Sequence, residues 1–115
     1  MFAEKSLPHQ TKSEQIIKWV NTQNKDGLTA IHYAAYKGNI QILDYLKNKG
    51  GNLKAETQNE VNALHLAAQT DKVETFIYYR GILGINSIDR KKSTSLHWAA
   101  FMGNNRVVSY LLAQP

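Results

Sequence analysis

Apolar residues recur along this chain at the three- to four-residue spacing of amphipathic helices. Such runs lie at 16–20, 40–46, 73–79 and 107–112, and polar or glycine-containing segments separate them. The pattern predicts an all-α fold that is built from short helices.

A seven-residue motif repeats three times at an almost constant period. TAIHYAA occupies 29–35, NALHLAA 62–68 and TSLHWAA 94–100, so His32, His65 and His97 are separated by 33 and 32 residues. A short polar break and one of the later apolar runs follow each motif, which predicts a helix, a tight turn and a second helix. Because one helical pair cannot bury its own apolar stripe, we expect the three pairs to stack.

The period, the motif and the helix pattern resemble those of the ankyrin-repeat family, whose unit is about 33 residues with a T-P-L-H-x-A core. The resemblance covers roughly 24–114 and implies an ankyrin-repeat solenoid of three helix-turn-helix repeats joined by extended fingers. The family's finger glycine is kept as Gly27 but is replaced by Glu60 and Lys92. Glycine accommodates positive φ, so these replacements leave the finger geometry of the second and third repeats open.

The same scheme divides the chain into a tail, a cap and the repeats. Residues 1–12 are predicted to be a flexible tail, and 13–23 an N-terminal capping helix. The repeats follow at about 24–56, 57–88 and 89–115. Terminal repeats are normally polar on the outside, and the third is not. We therefore expect a fragment of a longer protein, or a partner that covers this flank.

Composition narrows the class of protein. The 115 residues, 43% hydrophobic and 20% charged, fit one soluble globular domain, and no apolar stretch is long enough to span a membrane. The absence of Cys excludes disulfides, thiolate metal sites and a cysteine nucleophile, and it fits a reducing, cytoplasmic setting. The net charge of +5 favours acidic partners, but the basic residues are not gathered in one stripe. We therefore predict no nucleic-acid binding.

The three motif histidines are the main candidates for chemistry. Their repeat positions place them in a row about 10 Å apart, and metal–histidine bonds are only about 2 Å long, so neighbours cannot share an ion. We predict buried structural histidines that bond Thr or backbone in their own turns. Asp89, which flanks a finger turn, is also interpreted as structural. No catalytic motif is present, so we predict no catalytic residue, no metal and no cofactor.

A binding surface remains. In an ankyrin stack, the fingers and the outward side of each first helix line a concave groove, and the resemblance assigns residues to it by register. The predicted partner-binding residues are Lys25, Leu28, Tyr36, Lys37, Gln58, Val61, Gln69, Arg90, Lys91, Trp98, Phe101 and Met102. The same register adds Asp26, Tyr33, Asn59, Leu66, Thr70 and Ser93. The predicted ligand is a protein or peptide, and the oligomeric state is left open.

The aromatic residues divide between groove and core. Tyr36 and Phe101 are predicted to be exposed anchors, because the second repeat has a polar residue at their position. Tyr33 is predicted to be core, because its equivalent is the plain Leu66. Trp98 fits the groove and the contact between first helices equally well.

One tract resembles a narrower group. NALHLAAQ at 62–69, INSID at 85–89 and LHWAA at 96–100 are similar to the N-terminal ankyrin domain of Asp-His-His-Cys palmitoyltransferases. This resemblance implies a substrate-recruiting module on the cytoplasmic face of a membrane, with a zinc-containing catalytic domain beyond Pro115. The alternative is a stand-alone adaptor or scaffold. A third interpretation is binding to an anionic surface through Lys25, Lys37 and the basic run at 90–92.

Overall fold

The computed structural model describes residues 11–115, and within them the chain forms seven α-helices and no strand. They are α1 (Lys12–Val20), α2 (Ala30–Lys37), α3 (Ile40–Asn48), α4 (Ala63–Gln69), α5 (Val73–Tyr78), α6 (Ser95–Met102) and α7 (Asn105–Leu112). We call α2, α4 and α6 the inner helices, and α3, α5 and α7 the outer helices. The predicted all-α stack of three helix-turn-helix repeats is confirmed.

Each inner helix begins where the motif histidine bonds back to the residue before the helix. The backbone N–H of Thr29 donates to Nδ1 of His32 at 2.8 Å, and the equivalent bonds in the second and third repeats measure 3.0 Å. The imidazole thus satisfies a backbone donor at the helix start, as a Glu or Gln does in a capping box. Gly38 and Gly103 follow α2 and α6 with φ of 68° and 73°, the left-handed conformation that ends many helices.

Alanines set the contact between neighbouring inner helices. α2 packs on α4, and α4 packs on α6. Ala35, Ala67, Ala68 and Ala99 are fully buried, and their small side chains let the backbones approach closely. Larger apolar side chains complete the core. They include Ile31, Leu43, Leu64, Phe76 and Val107.

Each finger is closed by the side chain of its first residue. Oδ1 of Asn24 accepts the N–H groups of Asp26 and Leu28 at 2.9 and 3.0 Å. Thr57 and Asp89 close the second and third fingers in the same way, through Oγ1 and Oδ1. Three different side-chain oxygens therefore support one turn geometry.

The turn keeps its shape although two of its glycines are replaced. Gly27, Glu60 and Lys92 have φ of 83°, 61° and 66°, all in the left-handed region. The question that the sequence left open is thus answered: the finger geometry is kept. Glu60 and Lys92 adopt a conformation that costs a non-glycine residue about 1–2 kcal/mol.

Polar side chains also join successive repeats. Oγ1 of Thr75 donates to the Ala35 carbonyl at 3.0 Å, and Nδ2 of Asn104 donates to the Ala68 carbonyl at 2.7 Å. Both acceptors lie near the C-terminal end of an inner helix, where carbonyls lack partners in their own helix. The second and third repeats therefore each provide a hydrogen-bond donor for a carbonyl group of the preceding repeat.

The N-terminal cap differs slightly from its prediction. α1 starts at Lys12, capped by Thr11, and stops at Val20, three residues before the predicted end. The remainder of the predicted tail, 1–10, lies outside the described residues. No residue of α1 is buried, and Asn21 joins this helix to the first repeat by bonds of 2.9 and 2.7 Å to Gly50 and Asn52.

Candidate binding groove

A groove of about 730 Å³ runs between the fingers and the inner helices. We call it the finger groove. Its lining residues are Asp26, Leu28, Thr57, Asn59, Val61, Leu66, Gln69, Asp89, Arg90, Lys91, Ser93, His97, Trp98 and Phe101. All three repeats contribute, so stacking of the repeats creates the groove.

Hydrogen bonds between neighbouring fingers fix its edge. The N–H of Arg90 in the third finger donates to the Asn59 carbonyl in the second at 2.9 Å. Nε2 of Gln23 donates to the Gly27 and Glu56 carbonyls at 2.9 and 3.2 Å, which joins the first finger to the approach of the second. The fingers therefore present one continuous edge.

Trp98 is half-buried and is held by the base of the third finger. Its Nε1–H donates to Oδ2 of Asp89 at 3.1 Å, while Oδ1 accepts the N–H groups of Lys91 and Ser93 at 2.9 Å each. Desolvation alone would raise the pKa of the Asp89 carboxyl. The hydrogen bonds from Ser93, Trp98 and Lys91 outweigh it and hold that pKa below its usual value. Asp89 is therefore an ionised acceptor at neutral pH.

Apolar side chains form the floor. Leu28, Val61 and Leu66 are half-buried beside Trp98, and Phe101 leaves 81% of its surface exposed. Such a large exposed aromatic surface, next to a fixed indole, suits contact with an apolar part of another molecule.

The exposed charged residues that line the groove at the third finger are basic. Arg90 and Lys91 line it and are exposed, and Asp26 is an exposed acid near the first finger. Nε of Arg90 lies 4.0 Å from Oε2 of Glu60, and both side chains are more than half exposed. Such a solvated ion pair contributes little stability, so Arg90 remains available to an acidic ligand.

The structure brings most of the predicted surface together. Seven predicted partner-binding residues line the finger groove: Leu28, Val61, Gln69, Arg90, Lys91, Trp98 and Phe101. Five lie outside its lining: Lys25, Tyr36, Lys37, Gln58 and Met102. A binding role for any of the twelve stays a prediction.

Three lining residues were missed as groove residues: Thr57, Asp89 and His97. Asp89 was interpreted as structural, and it is, but its second oxygen also holds Trp98. The available signal was its equivalence to Asn24, which closes the first finger. Aligning finger positions as well as helix positions would have found it.

The prediction for Tyr33 was wrong, whereas Tyr36 and Phe101 are exposed as predicted. Tyr33 is 54% exposed, and its hydroxyl accepts a bond from Nδ2 of Asn24 at 3.1 Å. Its equivalent Leu66 is half-buried. The longer phenol extends beyond the helix contact to reach the finger, so equivalent positions did not have equivalent burial.

The histidine prediction is confirmed for two repeats, and in the third repeat the predicted hydrogen bond is present but the predicted burial was wrong. His32 and His65 are fully buried, and their Nε2 atoms bond the carbonyls of Ala55 and Ser87 at 3.0 Å each. Nδ1 already accepts a backbone N–H, so Nε2 carries the proton. His97 makes the bond to its helix start but is exposed, because no unit among residues 11–115 covers it.

Two kinds of feature are absent from the described part of the chain. Within 11–115, no group of three or more His, Cys, Asp or Glu could hold a metal ion. In the same range, no helix has the length and apolar content needed to cross a membrane.

Comparisons with known proteins match the repeats. A family model described as ankyrin repeats (three copies) matches 7–82, and one described as ankyrin repeat matches 91–114. Alpha-latrotoxin-Lh1a of Latrodectus hasselti is 35% identical over 98 residues, which cover 83% of this chain and 7% of the toxin. Inversin of Canis lupus familiaris is 28% identical over 96 residues, which cover 81% and 9%. Palmitoyltransferase AKR1 of Lachancea kluyveri is 32% identical over 89 residues, which cover 73% and 12%.

The chain thus spans about a tenth of the length of these relatives. A toxin, inversin and a palmitoyltransferase match it to a similar degree. The matches therefore identify the repeat architecture and leave the activity of a whole protein to be tested.

Proposed function

Since this chain belongs to the ankyrin-repeat family, we propose that it is a protein-interaction module that binds a partner protein in the finger groove. The observation that carries the proposal is the pairing of Phe101, 81% exposed, with the half-buried and hydrogen-bonded Trp98. Aromatic side chains of this kind commonly anchor protein interfaces, because they bury much area at a low cost in side-chain entropy.

The charges of the groove define the partner further. Arg90 and Lys91 beside an apolar floor favour a segment that carries both apolar and acidic side chains. The groove edge is formed by finger backbones that bond each other, so it is a rigid surface to which an extended segment fits without large rearrangement.

The test uses a random peptide library displayed on phage, panned on the whole chain. Peptides that enrich are synthesised and titrated against Phe101→Ser. We expect a loss of about thirtyfold in affinity. This corresponds to the roughly 2 kcal/mol that an anchor residue contributes to an interface. The matched control is Ile77→Ser on the outer helix α5, because Ile77 is 50% exposed and lies outside the groove lining.

The control separates groove binding from general adhesion. It should retain affinity within about twofold, as expected for a position outside the contact surface. Equal losses in the two variants, or no loss in either, would contradict binding in the finger groove.

For the parent protein, we propose a substrate-recruiting domain of a membrane protein palmitoyltransferase, at the cytoplasmic face. The support is the LHWAA-containing tract and the 32% identity to palmitoyltransferase AKR1. The alternative is a stand-alone adaptor or scaffold. The similarity to inversin and to alpha-latrotoxin supports that alternative, because ankyrin stacks occur in proteins with many different functions.

Membrane fractionation of the native protein distinguishes the two. An antibody to this chain follows the protein through salt and then detergent extraction, and its mass is read by blot. Release by detergent alone, at a mass far above 13.0 kDa, supports the palmitoyltransferase parent, and acyl transfer is then assayed. Release by salt, or a freely soluble protein, contradicts it and favours the adaptor.

A further inference from the structure

The carboxylate of Asp89 takes part in two separate hydrogen-bonded arrangements. One oxygen closes the third finger by accepting the N–H groups of Lys91 and Ser93. The other accepts the indole N–H of Trp98 at 3.1 Å. Asp89 is only 5% exposed, so its carboxylate faces these donors and not solvent.

The first repeat has the equivalent hydrogen bonds, but different side chains form them. Asn24 closes the first finger with Oδ1, and its Nδ2 donates to the hydroxyl of Tyr33 at 3.1 Å. Asn24 and Tyr33 are nine residues apart, as are Asp89 and Trp98. An amide that donates faces a phenol that accepts, whereas a carboxylate that only accepts faces an indole that only donates.

The second repeat completes the comparison. Thr57 closes its finger with a hydroxyl oxygen, and the residue nine positions later is Leu66, which has no polar atom. In the first and third repeats the first residue of the finger therefore matches the hydrogen-bonding capacity of the side chain on the inner helix, and in the second repeat that side chain has no polar atom to match. Turn closure alone does not require this match, because Asn, Thr and Asp all close the turn.

We propose that Asp89 is the positioning residue that sets the specificity of the finger groove at Trp98. It fixes the indole and occupies its only hydrogen-bond donor. The ligand side chain at this point is therefore apolar and packs against the ring, and an acidic ligand group next to it is met by Lys91 or Arg90. This inference rests on the proposed function of the groove.

Asp89→Asn tests the role without removing the turn. Asn24 shows that an Asn closes this finger, but the Nδ2 group of Asn cannot accept the indole N–H. Asp44→Asn on α3 is the matched control, since Asp44 is exposed, lies outside the groove lining and loses the same charge. Circular dichroism of both variants should match the unmodified chain.

The first readout needs no ligand. In a proton–nitrogen NMR spectrum, Asp89→Asn should shift the Trp98 indole signal. It should also speed the hydrogen exchange of the indole N–H by roughly tenfold or more, which corresponds to the net free energy of a hydrogen bond to a charged group. The indole signal of Trp19 serves as the internal reference. Asp44→Asn should leave the Trp98 signal in place. An unchanged Trp98 signal in Asp89→Asn overturns the inference.

A second background separates orientation from turn stability. A tyrosine at position 98 can accept from Asn or donate to Asp, as Tyr33 shows for the Asn partner. Asp89→Asn should therefore lower the melting temperature of the natural chain but leave that of Trp98→Tyr nearly unchanged. Equal losses in both backgrounds would show that Asp89 acts on the turn alone, and would overturn the inference.

The peptide library supplies the readout of specificity. The unmodified chain should enrich an apolar residue next to an acidic one. Asp89→Asn should weaken these peptides by roughly two- to twelvefold, the cost of immobilising one freed side chain, and Asp44→Asn should not. If the NMR signal changes as expected but the library enriches nothing, the proposed function fails and the specificity role fails with it. If peptides bind with equal affinity to Asp89→Asn, this inference alone fails.

Discussion

Leu64 in the second repeat and Leu96 in the third occupy the same position of the motif, yet Leu64 is 1% exposed and Leu96 is 38% exposed. Ile31, their equivalent in the first repeat, is also 1% exposed. The three helices start at the same motif and with the same bond to its histidine. What differs is the unit on the C-terminal side, which exists for the first two repeats within 11–115.

The histidines show the same difference in polar terms. The carbonyls that His32 and His65 bond at Ala55 and Ser87 lie 23 and 22 residues downstream, in the approach to the next finger. The motif therefore determines where a helix starts, and the next unit determines how deeply that helix is buried. This is the nearest-neighbour energetics of a solenoid seen at single residues.

The largest expected effect comes from truncating the equivalent leucines. Leu64→Ala should lower the free energy of unfolding by about 2–5 kcal/mol, because it leaves a cavity in a packed core. Leu96→Ala should cost about 1 kcal/mol or less, because its side chain already meets solvent. Urea denaturation of both variants gives the two values, and equal costs would contradict the comparison.

A smaller effect is expected from enlarging the equivalent alanines. Ala68 is fully buried between inner helices, whereas Ala100 is exposed. Ala68→Leu should therefore overpack the helix contact and cost about 1–3 kcal/mol. Ala100→Leu should change stability by no more than about 0.5 kcal/mol. Thermal melts of the pair check this, and a loss of stability in Ala100→Leu would show that its face is packed.

Periodicity was enough to predict the helical pairs, because helix starts depend on short-range contacts. The bond from Thr29 to His32 spans three residues, and such a contact is visible in a sequence. Register also placed Trp98 and Phe101 at one surface, since stacking converts repeat positions into neighbours. These are consequences of an almost constant period, which is 33 and then 32 residues.

The exposure of Tyr33 and the second role of Asp89 could not be predicted in the same way. Both depend on a bond between a finger and an inner helix, with partners nine residues apart. Which side chain reaches across depends on its length and on the partner's donors and acceptors, not on the apolar pattern. The exposure of His97 depends on a neighbouring unit, which no motif encodes.

The fingers offer a third comparison, with a gain of stability in place of a loss. Lys92→Gly should stabilise the chain by about 0.5–1 kcal/mol, because glycine adopts the positive φ of 66° without steric cost but loses more entropy on folding. Glu60→Gly should gain less, since it also removes the weak ion pair with Arg90. The inverse change, Gly27→Ala, should destabilise by about 1–2 kcal/mol. Chemical denaturation gives all three values, and a destabilising Lys92→Gly would contradict this account of the turn.

The smallest effect is expected from acid, and it arises at the buried histidine of the first repeat. Desolvation by burial lowers the pKa of His32 below its ordinary value of 6.5, even though the Ala55 carbonyl favours the charged ring. The unfolded chain therefore binds a proton at a higher pH than the folded chain does. The contribution of His32 to stability is complete above pH 6.5 and declines as the pH falls below that value.

His32→Gln keeps an acceptor for the Thr29 N–H but has no titrating ring, so its stability should fall less between about pH 7 and 5.5. Urea denaturation at several pH values measures both slopes, after correction for the difference at pH 8, where the ring is neutral in both states. Parallel slopes would mean that His32 does not contribute to the acid sensitivity of the fold.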